Sequence, residues 1–308
     1  MGLANLRSQL SRTLVAIIAV LMWTGFTDAA EIQAVNYDCF FFDKCEKQEP
    51  DSILIRGTIV QGDAESFHST VKKQGDFYLA RVILRSNGGN AQEAMNIGRD
   101  IRTLLLETEG PYLDYLVDPD GPLSYRGGDF PACIENGIGE FKGSRYKGSE
   151  CVCASACFLI YIAGAKRDRS YVGIHRSYLS ESTSQGLGLN AETQLYTTIK
   201  KTTADYLDAM GVPRRYADIM LRTSSQEIYV PKYPEVMADF YGWVPEIEEW
   251  LIAKCKTISE RQLEEEKNKA FNTLDRGQVM KFIELRDRRE MCIQLELESE
   301  RAKRRSEY

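Results

Sequence analysis

From residue 53 to residue 230, short β-branched runs alternate with segments of helical period, and few folds accommodate that alternation. Ile53-Leu54-Ile55-Arg56-Gly57-Thr58-Ile59-Val60 reads as a strand and residues 64–73 as a helix. Ala80-Arg81-Val82-Ile83-Leu84-Arg85 reads as a second strand, ending in Ser86-Asn87-Gly88-Gly89-Asn90. Residues 91–108 follow as an amphipathic helix, with Ala94, Ile97, Ile101, Leu104 and Leu105 on one face. Further on come a strand over 112–117, an apolar helix over 155–163 and a strand over 170–175. Helices over 191–210 and 213–221 and a short strand over 228–230 complete the series. Strands separated by helices predict a parallel α/β sheet with right-handed crossovers.

Composition removes other classes. The chain has 308 residues, 43% of them hydrophobic and 27% charged, with Gly and Pro near background, so it is neither collagen-like, low-complexity nor wholly disordered. A net charge of −6 gives no reason to expect nucleic-acid binding. Only two histidines are present, His68 and His175, too few for a His-rich metal site, and any imidazole chemistry must use one of them.

Residues 1–30 read as a secretory signal: Arg7 and Arg12 precede an apolar run of 11 residues from Thr13 to Trp23, with Ala29 and Ala30 before Glu31. The run is short of the roughly 20 residues that span a bilayer, which favours cleavage over an uncleaved anchor. No later segment is apolar enough to span. Loss of Arg7, Arg12 and Asp28 takes the net charge from −6 to −7. All 8 cysteines follow this segment, so an exported, disulfide-bonded protein is expected, with the periplasm as its compartment.

Composition shifts again near residue 250. Residues 256–308 carry 13 Lys and Arg against 12 Asp and Glu, with no Pro and a single Gly. This predicts a charged helical hairpin over 251–308, following an α/β domain over 31–250: one helix over 245–272, a turn at 273–277 and a second helix over 278–303. Cys255 and Cys292 lie 20 and 17 residues from Asp275, so an antiparallel hairpin brings them opposite each other as a bridge at its base. The charge run reads most simply as a solvated face, and the hairpin is also where a protein partner would bind.

Three elements carry the candidate chemistry. The Gly88-Gly89 strand end permits positive φ and exposes backbone N–H groups that can hold a phosphate or an oxyanion, although a plain tight turn looks the same in sequence. It is neither a P-loop nor a G-x-G-x-x-G fingerprint. Ser155, in Cys153-Ala154-Ser155-Ala156-Cys157, stands between small residues at a helix start, where it is either a nucleophile or an ordinary N-cap. His175, in Val172-Gly173-Ile174-His175-Arg176, follows Ser155 by one helix and one strand, enough for its imidazole to return beside the hydroxyl. His68 has no comparable setting and reads as a surface or packing residue.

Taken in this order, Ser86-Asn87-Gly88-Gly89, the run from Ser155 to Arg167, and Gly173-Ile174-His175-Arg176 resemble the proteolytic subunit of Clp proteases and its crotonase-like superfamily. The nearest pattern is that of a bacterial periplasmic branch. The resemblance covers about residues 50–245 and leaves out the hairpin. It implies a repeated β-β-α core and acyl transfer on peptides, with Ser155 as nucleophile and His175 as general base. Gly88 or Gly89, together with Ala156, would supply oxyanion-hole donors. The third member of the triad would precede a short strand, which points to Glu227, with Asp218 in reserve. Lys166 is an alternative base, as in signal-peptide peptidases. The family's habit implies homo-oligomers, a peptide or protein substrate and no cofactor. Acyl-CoA chemistry suits the superfamily but not an exported protein, and a non-catalytic binding module on the same fold is the rival reading.

The cysteines near Ser155 allow several pairings: Cys153–Cys157, Cys133–Cys151 or Cys133–Cys153. Cys39 and Cys45 could close a small loop. A zinc site from Cys133, Cys151, Cys153 and Cys157 lacks a standard spacing, and no Cys-x-x-Cys redox motif is present. The long Gly-rich stretch over 118–150 enters just before the Ser155 segment, so it reads either as a lid over the site or as a passive insertion.

Overall fold

Ile53, Leu54 and Ile55 are all fully buried, and a strand buried on successive residues needs cover on both of its faces. The computed structural model supplies that cover. It describes residues 29–37, 49–75, 79–86, 88–111, 113–116, 124–128, 152–168, 170–176, 189–224, 227–273 and 275–308. The segment before residue 29 that was expected to be a signal, Cys39, Cys45, Cys133, Cys151 and most of the 118–150 insertion lie outside the described residues.

The central sheet is built from β1 (Glu31–Val35), β2 (Ser52–Arg56), β3 (Arg81–Arg85), β4 (Glu107–Glu109), β5 (Lys166–Arg167) and β6 (Gly242–Trp243), hydrogen-bonded in that order. β2 through β5 run parallel, and the edge strands β1 and β6 are antiparallel to their neighbours. Helices α1 (Asp63–Lys73), α2 (Ala91–Thr103) and α3 (Ala156–Tyr161) fall between successive parallel strands. The protein is thus mixed α/β with a mostly parallel sheet. Phe67, Val71, Ala94, Ile97, Ile101, Phe158 and Ile160 bury the inward faces of these helices in one core with Ile53, Ile55, Val82 and Leu84.

One predicted element is corrected here. The helix expected over 91–108 stops at Thr103, and the last residues of that span form β4 inside the sheet. Leu105 takes a left-handed conformation (φ 54°) and turns the chain. Leu104, Leu105 and Leu106 continue the apolar pattern through the turn because all three are buried in it. Glu107-Thr108-Glu109 carries little strand propensity. It is held by its neighbours: Thr108 Oγ1 donates to the Tyr161 carbonyl at 2.6 Å, and Arg81 bonds Glu109 at 3.0 Å and pairs with Glu107 at 3.4 Å.

Two smaller ribbons lie off the sheet. β7 (Leu113–Leu116) pairs antiparallel with β8 (Ser124–Gly128), so part of the insertion is a hairpin strand. β9 (Cys153–Ala154) and β10 (Val172–Gly173) pair in parallel. The predicted strand over 228–230 is a single antiparallel bridge between Ile174 and Tyr229. Helices α4 (Leu189–Ala209), α5 (Arg215–Arg222) and α6 (Tyr233–Asp239) precede β6.

The tail contains three helices rather than two. α7 (Pro245–Cys255) ends at Lys256, which has a positive φ of 47°, and α8 (Glu260–Thr273) begins afresh. A reciprocal capping box starts α8: the Ser259 N–H donates to Gln262 Oε1 at 3.0 Å, and the Gln262 N–H donates to Ser259 Oγ at 3.2 Å. That Ser-x-x-Gln signal was present in the sequence. α9 (Arg276–Glu307) returns along α8, with Asp275 capping it through the Gln278 N–H at 2.9 Å. Cys255 and Cys292 are bonded, with Cα atoms 5.8 Å apart, and join α7 to α9.

The far half of α9 lies on the body. Ile293 and Leu297 share a core with Leu105, Ala165 and Leu251. Arg301 is 1% exposed; its Nε donates to the Leu105 carbonyl at 2.9 Å and a terminal nitrogen pairs with Glu107 at 3.4 Å. Among the described residues, no helix is long and apolar enough to cross a membrane.

Candidate active site

β9 delivers Ser155 into a sharp turn. Its backbone sits at φ 57° and ψ −120°, between the strand and α3. For a side chain other than Gly this is a strained conformation, costing on the order of 1–3 kcal/mol. A strand–turn–helix that holds Ser in such a conformation is the local geometry of a nucleophile elbow, which projects the hydroxyl away from its own backbone. The Ser155 N–H donates to the Gly173 carbonyl at 3.1 Å, so β10 anchors the turn. Ser155 is half-buried, while its neighbours Ala154 and Ala156 are buried.

The far end of α3 is held firmly. Tyr206 Oη donates to the Leu159 carbonyl at 2.7 Å, and Tyr161 Oη donates to the Asp168 carbonyl at 2.6 Å. Arg102 and Arg167 together bond the carbonyls of Ile162, Ala163 and Gly164 where the helix finishes, and both also reach the Met210 carbonyl. Burial and the nearby Arg102 charge pull the Arg167 guanidinium down to about 10.

Two covalent and steric features bracket Ser155. Cys153 and Cys157, two residues before and two after it, form a disulfide with Cα atoms 5.0 Å apart, and both are buried. Of the pairings left open by the sequence, this one forms, which also removes both thiols from the four-Cys zinc alternative. Among the described residues, no group of three or more His, Cys, Asp or Glu stands together in a way that could hold a metal ion. On the other side is Gly88, at φ 116°. A Cβ there would lie 2.7 Å from Ser155 Cβ and 2.8 Å from the Ala154 carbonyl oxygen. Gly89 is equally constrained: a Cβ would sit 2.1 Å from the Ile59 carbonyl oxygen, because the two residues pair as a parallel bridge.

The candidate oxyanion donors differ in their engagement. The Gly88 N–H donates to Ser86 Oγ at 3.1 Å and is occupied within its own loop. The N–H groups of Gly89 and Ala156 have no acceptor among the described residues. Those two amides belong to the loop and the turn that meet at Ser155.

His175 is placed by β10. Cys153 pairs with Val172 and Ala154 with Gly173, so this register brings the strand leading into His175 alongside the strand leading into Ser155. His175 is half-buried, and its Nδ1 lies 3.0 Å from the Arg176 carbonyl oxygen. With Nδ1–H donated to that carbonyl, Nε2 carries the lone pair, the tautomer that a general base needs. Among the described residues, no hydrogen bond joins His175 to Ser155 or to Glu227.

Glu227 is exposed, and its N–H donates to the Ser224 carbonyl at 3.1 Å, while the Arg176 N–H donates to the Thr223 carbonyl at 3.0 Å. Asp218 lies on α5 in an exposed ion pair with Lys200 at 3.6 Å. Lys166 Nζ stands over the Trp243 ring, 5.3 Å from its centroid, on the β5–β6 edge of the sheet. His68 takes the packing role of its two readings. Its ring lies tilted at 45° against Tyr308 with centroids 4.3 Å apart, and its Nδ1 is 3.8 Å from Asp100.

Sequence reading missed the buried acid at the end of β4. Glu109 accepts from Tyr37 Oη at 2.8 Å and pairs with Arg81, and burial raises its carboxyl above the usual range. The following residue, Gly110, packs against Ser170 and Cys153, and a Cβ there would be 3.5 Å from Cys153 Cβ. The charged run around Glu109 gave no helical or strand period to mark it.

Ile228 also escaped notice. It is 49% exposed and crosses β10 where Gly173 leaves room, since a Cβ at 173 would be 2.7 Å from its Cγ2. Comparison with family models, curated proteins and solved structures finds no match for this chain.

Proposed function

We propose that this chain is an exported serine hydrolase acting on peptides, on a Clp/crotonase-like core, with Ser155 as its nucleophile. The observation that carries the reading is the strained backbone of Ser155 at a strand–turn–helix apex, pressed on by Gly88 and bracketed by a disulfide. The Clp/crotonase assignment draws support from the order of its parts: parallel strands joined by helices, a Gly-Gly strand end, a Ser-led helix and a His just past the next short strand.

In this mechanism Ser155 Oγ attacks the acyl carbonyl and His175 Nε2 takes its proton. The N–H groups of Ala156 and Gly89 are the available donors for the oxyanion. The tetrahedral intermediate collapses as His175 returns the proton to the leaving amine. Water, deprotonated by the same imidazole, then releases the acyl group from Ser155. The Arg176 carbonyl orients His175 in place of a carboxylate. A neutral acceptor stabilises the imidazolium less than an anion would, so a slow hydrolase is expected. The disulfides suit an oxidising compartment, which supports export to the periplasm.

A second reading, a binding module that keeps the fold without catalysis, is favoured by one specific observation: Nδ1 of His175 faces a backbone carbonyl while Glu227 is exposed. A fluorophosphonate probe on the purified protein separates the two. Labelling of the wild type that is lost in both Ser155→Ala and His175→Ala supports the hydrolase. No labelling of the wild type, with the 118–150 insertion clipped or intact, sinks it.

A further inference from the structure

Of the five large apolar side chains exposed among the described residues, four lie on the C-terminal hairpin: Phe271, Met280, Met291 and Leu295. Phe271 leans edge-on against Phe282 at 6.0 Å. Met291 and Leu295 have no such cover, at 65% and 60% exposed, and they project from α9 opposite Ile293 and Leu297, which face the body.

These two residues belong to a longer pattern. Glu284, Arg288, Met291, Leu295, Glu298 and Ala302 share one face of α9; all are exposed except the half-buried Glu298, and at the far end Ala302 lines a cleft with Val71, Lys72 and Gly75 at the end of α1. Their spacings are 4, 3, 4, 3 and 4 residues, the heptad interval of a coiled-coil seam. The spacing reads the same in both directions. If two copies of α9 are laid antiparallel about an axis midway between Met291 and Leu295, Met291 of each meets Leu295 of the other. Arg288 then meets Glu298 twice, once on each side of the apolar pair. The seam is therefore self-complementary, as an isologous two-fold contact must be.

The parallel alternative fails on charge, since it sets Arg288 on Arg288 and Glu298 on Glu298. Among the described residues Arg288 makes no ion pair, and Glu298 accepts only from Gln294 at 2.9 Å, so both are available. Lys281 and Arg305 would oppose each other beyond the two ends, and Ala302 faces the cleft beside α1, which confines the pairing to the stretch from Arg288 to Glu298. At 1.5 Å per residue that is roughly 15 Å of helix, a short seam and a concentration-dependent one.

We propose that α9 pairs antiparallel with α9 of a second copy of this chain, through the Met291–Leu295 contact flanked by two Arg288–Glu298 pairs. The contact is independent of any chemistry at Ser155.

Sedimentation velocity on the purified full chain over a wide concentration range tests it. The weight-average mass should rise from one chain toward two. Leu295→Glu and Arg288→Glu should each move the midpoint to concentrations about tenfold higher or more. The double exchange Arg288→Glu with Glu298→Arg should return it to the wild-type value. Thermal unfolding checks that each variant is folded, and little change is expected because the substituted side chains project into solvent. A wild type that stays monomeric throughout would overturn the proposal and leave the face to some other partner. So would self-association indifferent to both single variants, or a double exchange that fails to restore it.

Discussion

Gly88 and Ser155, 67 residues apart in the chain, touch so closely that a single added methyl at 88 would stand 2.7 Å from Ser155 Cβ. The loop after one parallel strand is thereby packed onto the turn after another, and the least typical backbone at the candidate site depends on that contact.

Gly88→Ala should therefore strain two positions at once. The new Cβ meets Ser155 and the Ala154 carbonyl, and φ at 88 is 116°. A loss of about 1–3 kcal/mol in stability and of most Ser155 labelling is expected. Gly75→Ala is the control: its φ of 55° is also positive, but a Cβ there meets open space. It should cost about 1 kcal/mol and leave labelling alone. Urea titration and probe labelling of the two variants read both effects.

The two disulfides should separate stability from reactivity. Cys255–Cys292 closes a loop with a sequence separation of 37, and Cys153–Cys157 one of only 4. On the chain-entropy account, losing the first costs about 4 kcal/mol and losing the second about 2 kcal/mol. Paired Cys→Ser substitutions should show the larger fall in melting temperature for 255/292. The larger fall in Ser155 labelling should belong to 153/157, because that bridge spans the strained turn.

Arg301 holds the end of α9 to the body. Removing it leaves the Leu105 carbonyl without this donor and Glu107 with Arg81 as its remaining ion-pair partner, so Arg301→Met should cost about 2–4 kcal/mol. Arg301→Lys should recover less than half, since an ammonium lacks the planar fork that serves both acceptors. Limited proteolysis should cut the hairpin faster in both variants, and denaturant titration gives the magnitude.

Glu109 should leave a mark on the pH dependence of stability. Burial raises its carboxyl in the folded protein, so in the window between its unfolded and folded values the folded state binds more protons than the unfolded one. Stability contributed by this group is then full below the unfolded value and is lost as pH rises through the folded value. Glu109→Gln keeps an acceptor for Tyr37 and removes the titration. The difference between wild-type and variant stability, measured from pH 4 to 8, should favour the wild type more at the acid end. A difference that is flat or has the opposite slope would contradict the assignment.

Much of this arrangement was legible locally. Ile53-Leu54-Ile55 and Val82-Ile83-Leu84 announced strands covered on both faces, and the sheet is mostly parallel as the alternation required. The Cys255–Cys292 pairing followed from the antiparallel return of the tail, and the Ser between alanines marked the turn. Other features left no local trace. Glu107-Thr108-Glu109 became a strand because Tyr161, Arg81 and Arg301 satisfy its polar groups, and these partners lie up to about 200 residues away in sequence. The helix break at Lys256 went unread because no Gly or Pro announces it, although Ser259 and Gln262 carried a capping signal.

What the sequence by itself determined is most of the elements and the chemistry each can carry, since period, β-branching and small residues act over a few neighbouring positions. Tertiary structure alone decided which of those chemistries meet. The sheet order brought Gly88 onto Ser155, the β9–β10 register brought the strand of His175 beside it, and the turn from Ser224 left Glu227 exposed. A parallel sheet joins strands tens of residues apart, and the register of that joining depends on packing summed over the whole core, which no single segment encodes.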